Sequence, residues 1–294
     1  MFIGQFLGTS AAEGIPAPFC RCAVCEEARE KKGVYQRRRS SFRLTDSILI
    51  DLGADAVSQC IEYGDINDVN HVLVTHTHDD HFNPHMMMEA FWSRMQRTGP
   101  LNYYFTDRAF DIVNHLRNND WILKGQVAEW EREGIVAFHQ LHYGERTVID
   151  GVAVTPFRGN HIGNVKENSS LYLIDLPDGR TLFYGLDSGP YFPETIEALK
   201  PYRIDIFISE ATLGTRTSSP GSQHMGLRDV HALASALYAQ GTLHDSSLLC
   251  LSHINHSTGH DQMLEAVRLL RFPIRTIVAH DGQGLSPCTP DCAP

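Results

Sequence analysis

The stretch Thr75-His76-Thr77-His78-Asp79-Asp80-His81 packs three imidazoles and a suitably spaced carboxylate, Asp80, into six residues directly after the apolar run Val72-Leu73-Val74. A short branched run followed by ligand-type side chains reads as a strand ending in a metal site. Imidazole together with carboxylate suits Zn, Mn or Fe, and four such groups so close crowd a single ion and favour two. The competing reading is a surface turn that happens to be rich in His and Asp. Partners further along the chain weigh against it: Gly159-Asn160-His161 follows the run Val152 to Arg158, Asp187 follows Thr181 to Phe183, and His253 closes Ser247 to Leu251. Each of these alone would more often be structural, since any strand end can carry a polar residue.

With 294 residues, 42% of them hydrophobic, the chain can bury a sizeable core. No apolar run approaches the ~20 residues of a membrane span, and Met1-Phe2-Ile3-Gly4-Gln5 lacks the features of a signal peptide, so a cytoplasmic location is expected. A net charge of -10 with His neutral argues against a polyanion-binding face; the partner expected is a small molecule, with neither nucleic acid nor membrane. The exception is the basic run from Arg29 to Arg43, with Lys31, Lys32, Arg37, Arg38 and Arg39, which reads as a solvated loop or as a phosphate-facing rim.

Seven cysteines fall at 20, 22, 25, 60, 250, 288 and 292. An odd count without an export signal argues against a disulfide framework. Cys20, Cys22 and Cys25 look instead like a knuckle for Zn, whose closed structural sites take four ligands, so a fourth must come from elsewhere. The alternative is a cysteine-rich loop without metal. Cys60 and Cys250 read as buried apolar residues, and Cys288 with Cys292 as a minor metal or redox pair, or neither.

Strand-type runs recur at Phe2 to Leu7, Ser47 to Asp51, His71 to Thr75, Asn102 to Thr106, Val152 to Arg158, Ser170 to Asp175, Thr181 to Tyr184, Ile204 to Ser209, Ser247 to Leu251 and Ile274 to His280. Helical patterns lie at Ala54 to Tyr63, Pro84 to Met95, Phe110 to Asn118, Pro193 to Leu199, Leu227 to Tyr238 and Asp261 to Leu269. This alternation predicts an α/β (α+β) fold, an αββα sandwich of two mixed sheets flanked by helices. One domain over residues 1–281 is expected, with a helical insertion at about 84–140 and an irregular tail at 282–294. The aromatic residues of the insertion, among them Phe91, Trp92, Tyr103, Tyr104, Trp121 and Trp130, read either as added core or as a wall over a substrate pocket.

The His-x-His-x-Asp-His pattern resembles the signature of the metallo-β-lactamase fold superfamily of hydrolases, and His161, Asp187 and His253 fall in the order of its later motifs. The resemblance implies a dinuclear site in which His76, His78 and His161 bind one ion, Asp80, His81 and His253 bind the other, and Asp187 bridges. It also makes Asp80 a catalytic residue. Diiron flavoproteins of this fold carry a carboxylate where His78 stands, so imidazole there favours Lewis-acid hydrolysis over redox work.

Leu7-Gly8-Thr9-Ser10, Gly14-Ile15-Pro16, the cysteine knuckle, Arg37-Arg38-Arg39-Ser40-Ser41 and His253-Ile254-Asn255-His256 narrow the resemblance to the PhnP-like phosphodiesterases of the carbon–phosphorus lyase pathway. That resemblance implies a structural Zn on Cys20, Cys22, Cys25 and His256, with His260 as the competing fourth ligand. It implies that His224, just before a helix, is catalytic and assists at the phosphate. The expected enzyme hydrolyses a small, cyclic phosphodiester with two divalent ions, Zn or Mn, as a monomer or a homodimer. Departures lie at Phe82-Asn83-Pro84, in the long 84–140 segment and in the Cys-bearing tail. Three rivals stand beside it. A lactonase or thioesterase would use the same site on a carbonyl. A nuclease of the RNase Z type normally brings a basic arm that this chain lacks. A cofactor-handling protein similar to the pyrroloquinoline quinone biosynthesis protein would be expected to have a degenerate centre, whereas every ligand position is filled here.

Overall fold

In the computed structural model, which describes residues 2–118 and 125–285, the branched and aromatic runs pair into two sheets. The first sheet has the order β1 (Phe2–Gly8), β2 (Ser41–Thr45), β3 (Ile48–Ile50), β4 (His71–Leu73), β5 (Leu101–Thr106), β6 (Val136–Leu141). Its first three strands are antiparallel neighbours and β3 to β6 run parallel. The second sheet contains β7 (Thr147–Ile149), β8 (Val152–Ile162), β9 (Asn168–Asp175), β10 (Thr181–Gly185), β11 (Ile206–Glu210), β12 (Leu248–Ser252) and β13 (Arg275–Val278) in sequential order. There β7 to β10 are antiparallel and β10 to β13 parallel.

Strand periodicity explains the layers, because successive side chains point to opposite faces. Ile48 and Ile50 of β3, Leu182 and Tyr184 of β10, and Ile206 and Ile208 of β11 meet in one cluster between the sheets. Their neighbours Phe183 and Phe207 face outward onto α6 (Pro193–Leu199), α7 (Leu227–Ala239) and α8 (His260–Leu270). Leu49 and Tyr103 face outward from the first sheet onto α2 (Ala56–Tyr63), α3 (Met86–Trp92), α4 (Asp111–Asn118) and α5 (Val127–Arg132). The result is the expected αββα sandwich of two mixed sheets. No helix among the described residues is long and apolar enough to cross a membrane.

Several local readings are corrected. The strands β2, β6 and β7 lie outside the expected runs: Arg43 interrupts the apolar pattern of β2, His139 with Gln140 that of β6, and β7 is only three residues long. Residues 84–140 contribute the expected strand β5 and most of the unexpected β6 to the first sheet as well as helices. Trp130 and Tyr103 are buried there and Phe91 stacks on Trp130, so these aromatics are core, whereas Trp92 is exposed. Trp121, Cys288 and Cys292 lie outside the described residues. Cys250 is buried as expected, but Cys60 is only partly so.

The basic run is only partly solvated: Lys31 and Lys32 are exposed, while Arg38 and Arg39 are half-buried. Arg29 and Lys31 lie on a helix, α1 (Ala23–Lys31), and Arg37 is buried. Its guanidinium donates to Thr9 Oγ1 at 2.7 Å and to Ala279 O at 2.5 Å, while Thr9 Oγ1 donates to Asp281 Oδ1 at 2.7 Å. Arg38 N donates to Asp281 Oδ2 at 2.6 Å, and Leu285 N to Gly4 O at 2.6 Å. The arginines thus tie the N-terminal strands to the segment at Ala279 and Asp281, and backbone pairing of Leu285 with Gly4 adds the start of the tail.

Candidate metal centre

Chain segments leaving the parallel strands bring the ligand-type residues together, as open α/β sheets commonly do at the carboxyl ends of their strands. The turn after β4 carries His76, His78, Asp80 and His81; Asp187 follows β10 and His253 follows β12. His161 stands inside β8, which runs four residues beyond the expected strand end at Arg158, to Ile162. Asp187 and His253 have left-handed φ angles of 46° and 51°, and Asp51, at the end of β3, one of 63°. Such non-glycine residues carry strain that the surrounding structure must offset, and it commonly collects at functional sites.

Two groups of donor atoms result, each with its members within 4.8 Å of one another: His76, His78 and His161, and Asp80, His81, Asp187 and His253. All but His78 are buried. His78 Nδ1 lies 3.0 Å from His76 Nε2 and 3.1 Å from His161 Nε2. Asp187 touches both groups, with Oδ2 2.8 Å from His81 Nε2 and 3.3 Å from His76 Nε2. His81 Nε2 and His253 Nε2 face each other at 3.3 Å.

The outward nitrogens are spoken for. His81 Nδ1 lies 2.6 Å from Asp51 Oδ2, His253 Nδ1 2.9 Å from Thr212 Oγ1, and His76 Nδ1 3.1 Å from Thr75 Oγ1. Such outer partners fix the tautomer, so these three rings aim Nε2 inward. Converging nitrogens at about 3 Å cannot all be satisfied by one another's protons, and a cation is the natural occupant of such a centre. Asp187 Oδ1 supports the fit: it lies 2.8 Å from His253 Nε2, yet it is buried and without a well-aligned hydrogen bond.

Charge follows the same geometry. Burial and the neighbouring His81 hold His76 well below the usual imidazole range. Burial also opposes charge on His253, but the Asp187 carboxylate against it prevails and carries it up to about 10. On Asp187 burial is again overcome, by His253 and His81, and its carboxyl stays well below the ordinary carboxylate range.

Three buried carboxylates around the cluster were not singled out from the sequence. Asp51 accepts from Thr75 N at 2.8 Å and Thr75 Oγ1 at 2.9 Å as it faces His81. Glu167 accepts from Thr77 N at 2.8 Å and Thr77 Oγ1 at 2.6 Å, pinning the histidine-rich turn. Glu210, at the end of β11, accepts from Ser188 N at 2.6 Å and Met225 N at 3.0 Å, and lies 3.3 Å from His224 Nδ1. Asp51 and Glu210 share with Asp187 the signal of an acidic residue directly after an apolar strand. His224 Nδ1 is 3.9 Å from Asp187 Oδ1. Against burial, Glu210 raises the His224 pKa.

Glycine shapes the floor of the turn: a Cβ on Gly53 would sit 2.2 Å from Asp80 O, so only glycine lets these segments approach.

Cys20, Cys22, Cys25 and His256 form a separate group. His256 Nδ1 lies 3.5 Å from both Cys22 Sγ and Cys25 Sγ. A tetrahedral Zn with bonds of about 2.3 Å to sulfur and 2.0 Å to nitrogen has S···N edges of roughly 3.5 Å, which this group matches. His260, the competing residue, instead places Nδ1 3.1 Å from Arg37 Nη2.

Comparison with solved structures gives the same architecture. A diphosphatase from the PhnP family is 21% identical with a TM-score of 0.70, and the match covers 96% of both chains. Zn-bound PqqB from Methylobacterium extorquens is 17% identical with a TM-score of 0.69, covering 97% of this chain and 100% of that one. The short form of human tRNase Z is 16% identical with a TM-score of 0.61, covering 97% and 98%. No curated protein sequence matches significantly. Likeness at these identities establishes the fold alone, but a sequence model, that of the β-lactamase superfamily domain, matches residues 46–280. With that span running from before β3 to beyond β13, the chain belongs to the metallo-β-lactamase superfamily.

Proposed function

We propose that this chain is a dinuclear metal-dependent phosphodiesterase acting on a small diester. His76, His78 and His161 would hold one divalent cation and Asp80, His81 and His253 a second, with Asp187 facing both; Cys20, Cys22, Cys25 and His256 would hold a structural Zn. Bound in this way, two cations supply Lewis-acid activation of water and of the phosphoryl oxygens. The chain's own residues do the positioning. Asp51, Thr75 and Thr212 orient the ligand rings, and Glu167 fixes the turn that carries four of the ligands.

The observation that carries the reading is His224, a part-buried imidazole held between Glu210 and Asp187 at the edge of the cluster. Glu210 keeps it oriented and favours its protonated form, so that it can hydrogen-bond a phosphoryl oxygen and pass a proton to the departing alkoxide. The net charge of -10 favours a small substrate over a polynucleotide.

The test is turnover of bis(p-nitrophenyl) phosphate by stripped protein reloaded with Mn²⁺ or Zn²⁺, beside a phosphomonoester, a diphosphate and a lactone. Diester turnover is expected, absent in His78→Ala and reduced by about 10²–10⁴ in His224→Ala. Lactone turnover without diester turnover would move the assignment to a carbonyl hydrolase. No turnover with both ions bound would favour a cofactor-handling role.

A further inference from the structure

A cavity lies away from the metal cluster, on the outer side of the first sheet. It has a volume of about 540 Å³, within the range of small-molecule sites. Its apolar wall is made by Leu52, Ile66, Val69, Met86, Ala90 and Leu101. None of the residues that line it is a candidate metal ligand.

The guanidinium at this cavity has no ion-pair partner among the described residues. Arg97 lines it, and Arg97 Nη2 is committed to two neutral acceptors, Val69 O at 2.9 Å and Asn70 Oδ1 at 2.8 Å. Both of these partners are neutral, no carboxylate among the described residues pairs with this guanidinium, and its Nε is buried without an acceptor. Glu89 also lines the cavity but is exposed and not paired with Arg97. Burial accordingly pulls the Arg97 pKa down. A half-buried guanidinium with only carbonyl partners is stabilised by an incoming anion more than a solvated one would be.

We infer that this cavity binds a small amphipathic carboxylate, its apolar body against Leu52, Ile66, Val69, Met86, Ala90 and Leu101 and its head group at Arg97. A single guanidinium matches a singly charged planar carboxylate. A doubly charged phosphate would need further donors, and Glu89, which also lines the cavity, would repel it more strongly than a singly charged group. The inference is independent of the reaction assigned to the metal cluster.

Calorimetric titration of the metal-loaded full chain with decanoate, decanol and decylamine tests it. Decanoate is expected to bind at one site per chain, at least tenfold tighter than either neutral or cationic analogue. Arg97→Gln should weaken decanoate at least tenfold while leaving decanol unchanged. Because Arg97 also braces Val69 and Asn70, Ser93→Phe serves as the second variant: Ser93 lines the cavity at an exposed position, and the added ring should weaken decanoate and decanol alike. Equal binding of the three probes, or decanoate binding that neither variant alters, as when the carboxylate goes to the metal ions instead, would overturn the inference.

Discussion

Asp51 has no place in the histidine motif, yet it touches the ring of His81 and both polar groups of Thr75 from a fully buried position. Outer partners of this kind typically account for 10–100-fold in metal affinity. Asp51→Asn should therefore weaken binding of Mn²⁺ or Zn²⁺ about that much, measured by competition with a chromophoric chelator. Asp55→Asn, which alters a carboxylate engaged with Arg39, should leave it unchanged. Equal affinities for both variants would make Asp51 merely a buried acid. Its role was half legible: an acidic residue after Ile48 to Ile50 resembles Asp187 after its strand, but nothing local indicates which histidine it meets. His81 lies 30 residues away, and the contact exists because β3 and β4 are parallel neighbours in register.

At the scale of elements, the junction between the N-terminal strands and the C-terminal segment is a buried polar relay, Arg37 to Thr9 to Asp281. Burial pushes the Asp281 carboxyl up to about 6 despite hydrogen bonds from Arg38 N and Thr9. A folded pKa above the unfolded one means that the native state binds the extra proton. Its stabilising contribution is full below about pH 4 and is lost as pH rises through 6. A displacement of about two units corresponds to roughly 3 kcal/mol. In urea unfolding, the stability of the wild type relative to Asp281→Asn should therefore fall by up to that amount between pH 4 and pH 7; a constant difference would show that Asp281 does not titrate in this window. Arg37-Arg38-Arg39 illustrates why the sequence misled here. Consecutive cations ordinarily mark a solvated face, and it takes the distant acceptors Thr9 Oγ1 and Ala279 O to let Arg37 be buried.

Over the whole molecule, the apolar layer between the sheets and the two outer layers must hold a cluster of imidazoles and carboxylates that are costly to bury without a counter-charge. Ions that bind only the folded state stabilise it by about 4 kcal/mol at a thousandfold excess over Kd. At about 2 °C per kcal/mol for a large domain, stripping with a chelator should lower the Tm on the order of 10 °C, with recovery on adding Zn²⁺ or Mn²⁺. His78→Ala should show a smaller chelator effect. An unchanged Tm would mean that the folded chain holds no ion.

The kinds of metal-binding side chain and their order were set by the sequence itself, and all but His161 were placed after apolar runs, because residue chemistry and strand periodicity act over a few positions. The αββα layering was legible for the same reason: Leu182, Tyr184, Ile206 and Ile208 alternate with Phe183 and Phe207, and each set has its own side. Tertiary structure decided which residues meet. His81 and His253 are 172 positions apart and face each other only because both sheets direct their strand ends to one rim. Three residues further on, His256 leaves that rim for the cysteines, and Glu210 finds His224 across a loop. Such contacts depend on packing and register summed over the whole core, which no local pattern encodes.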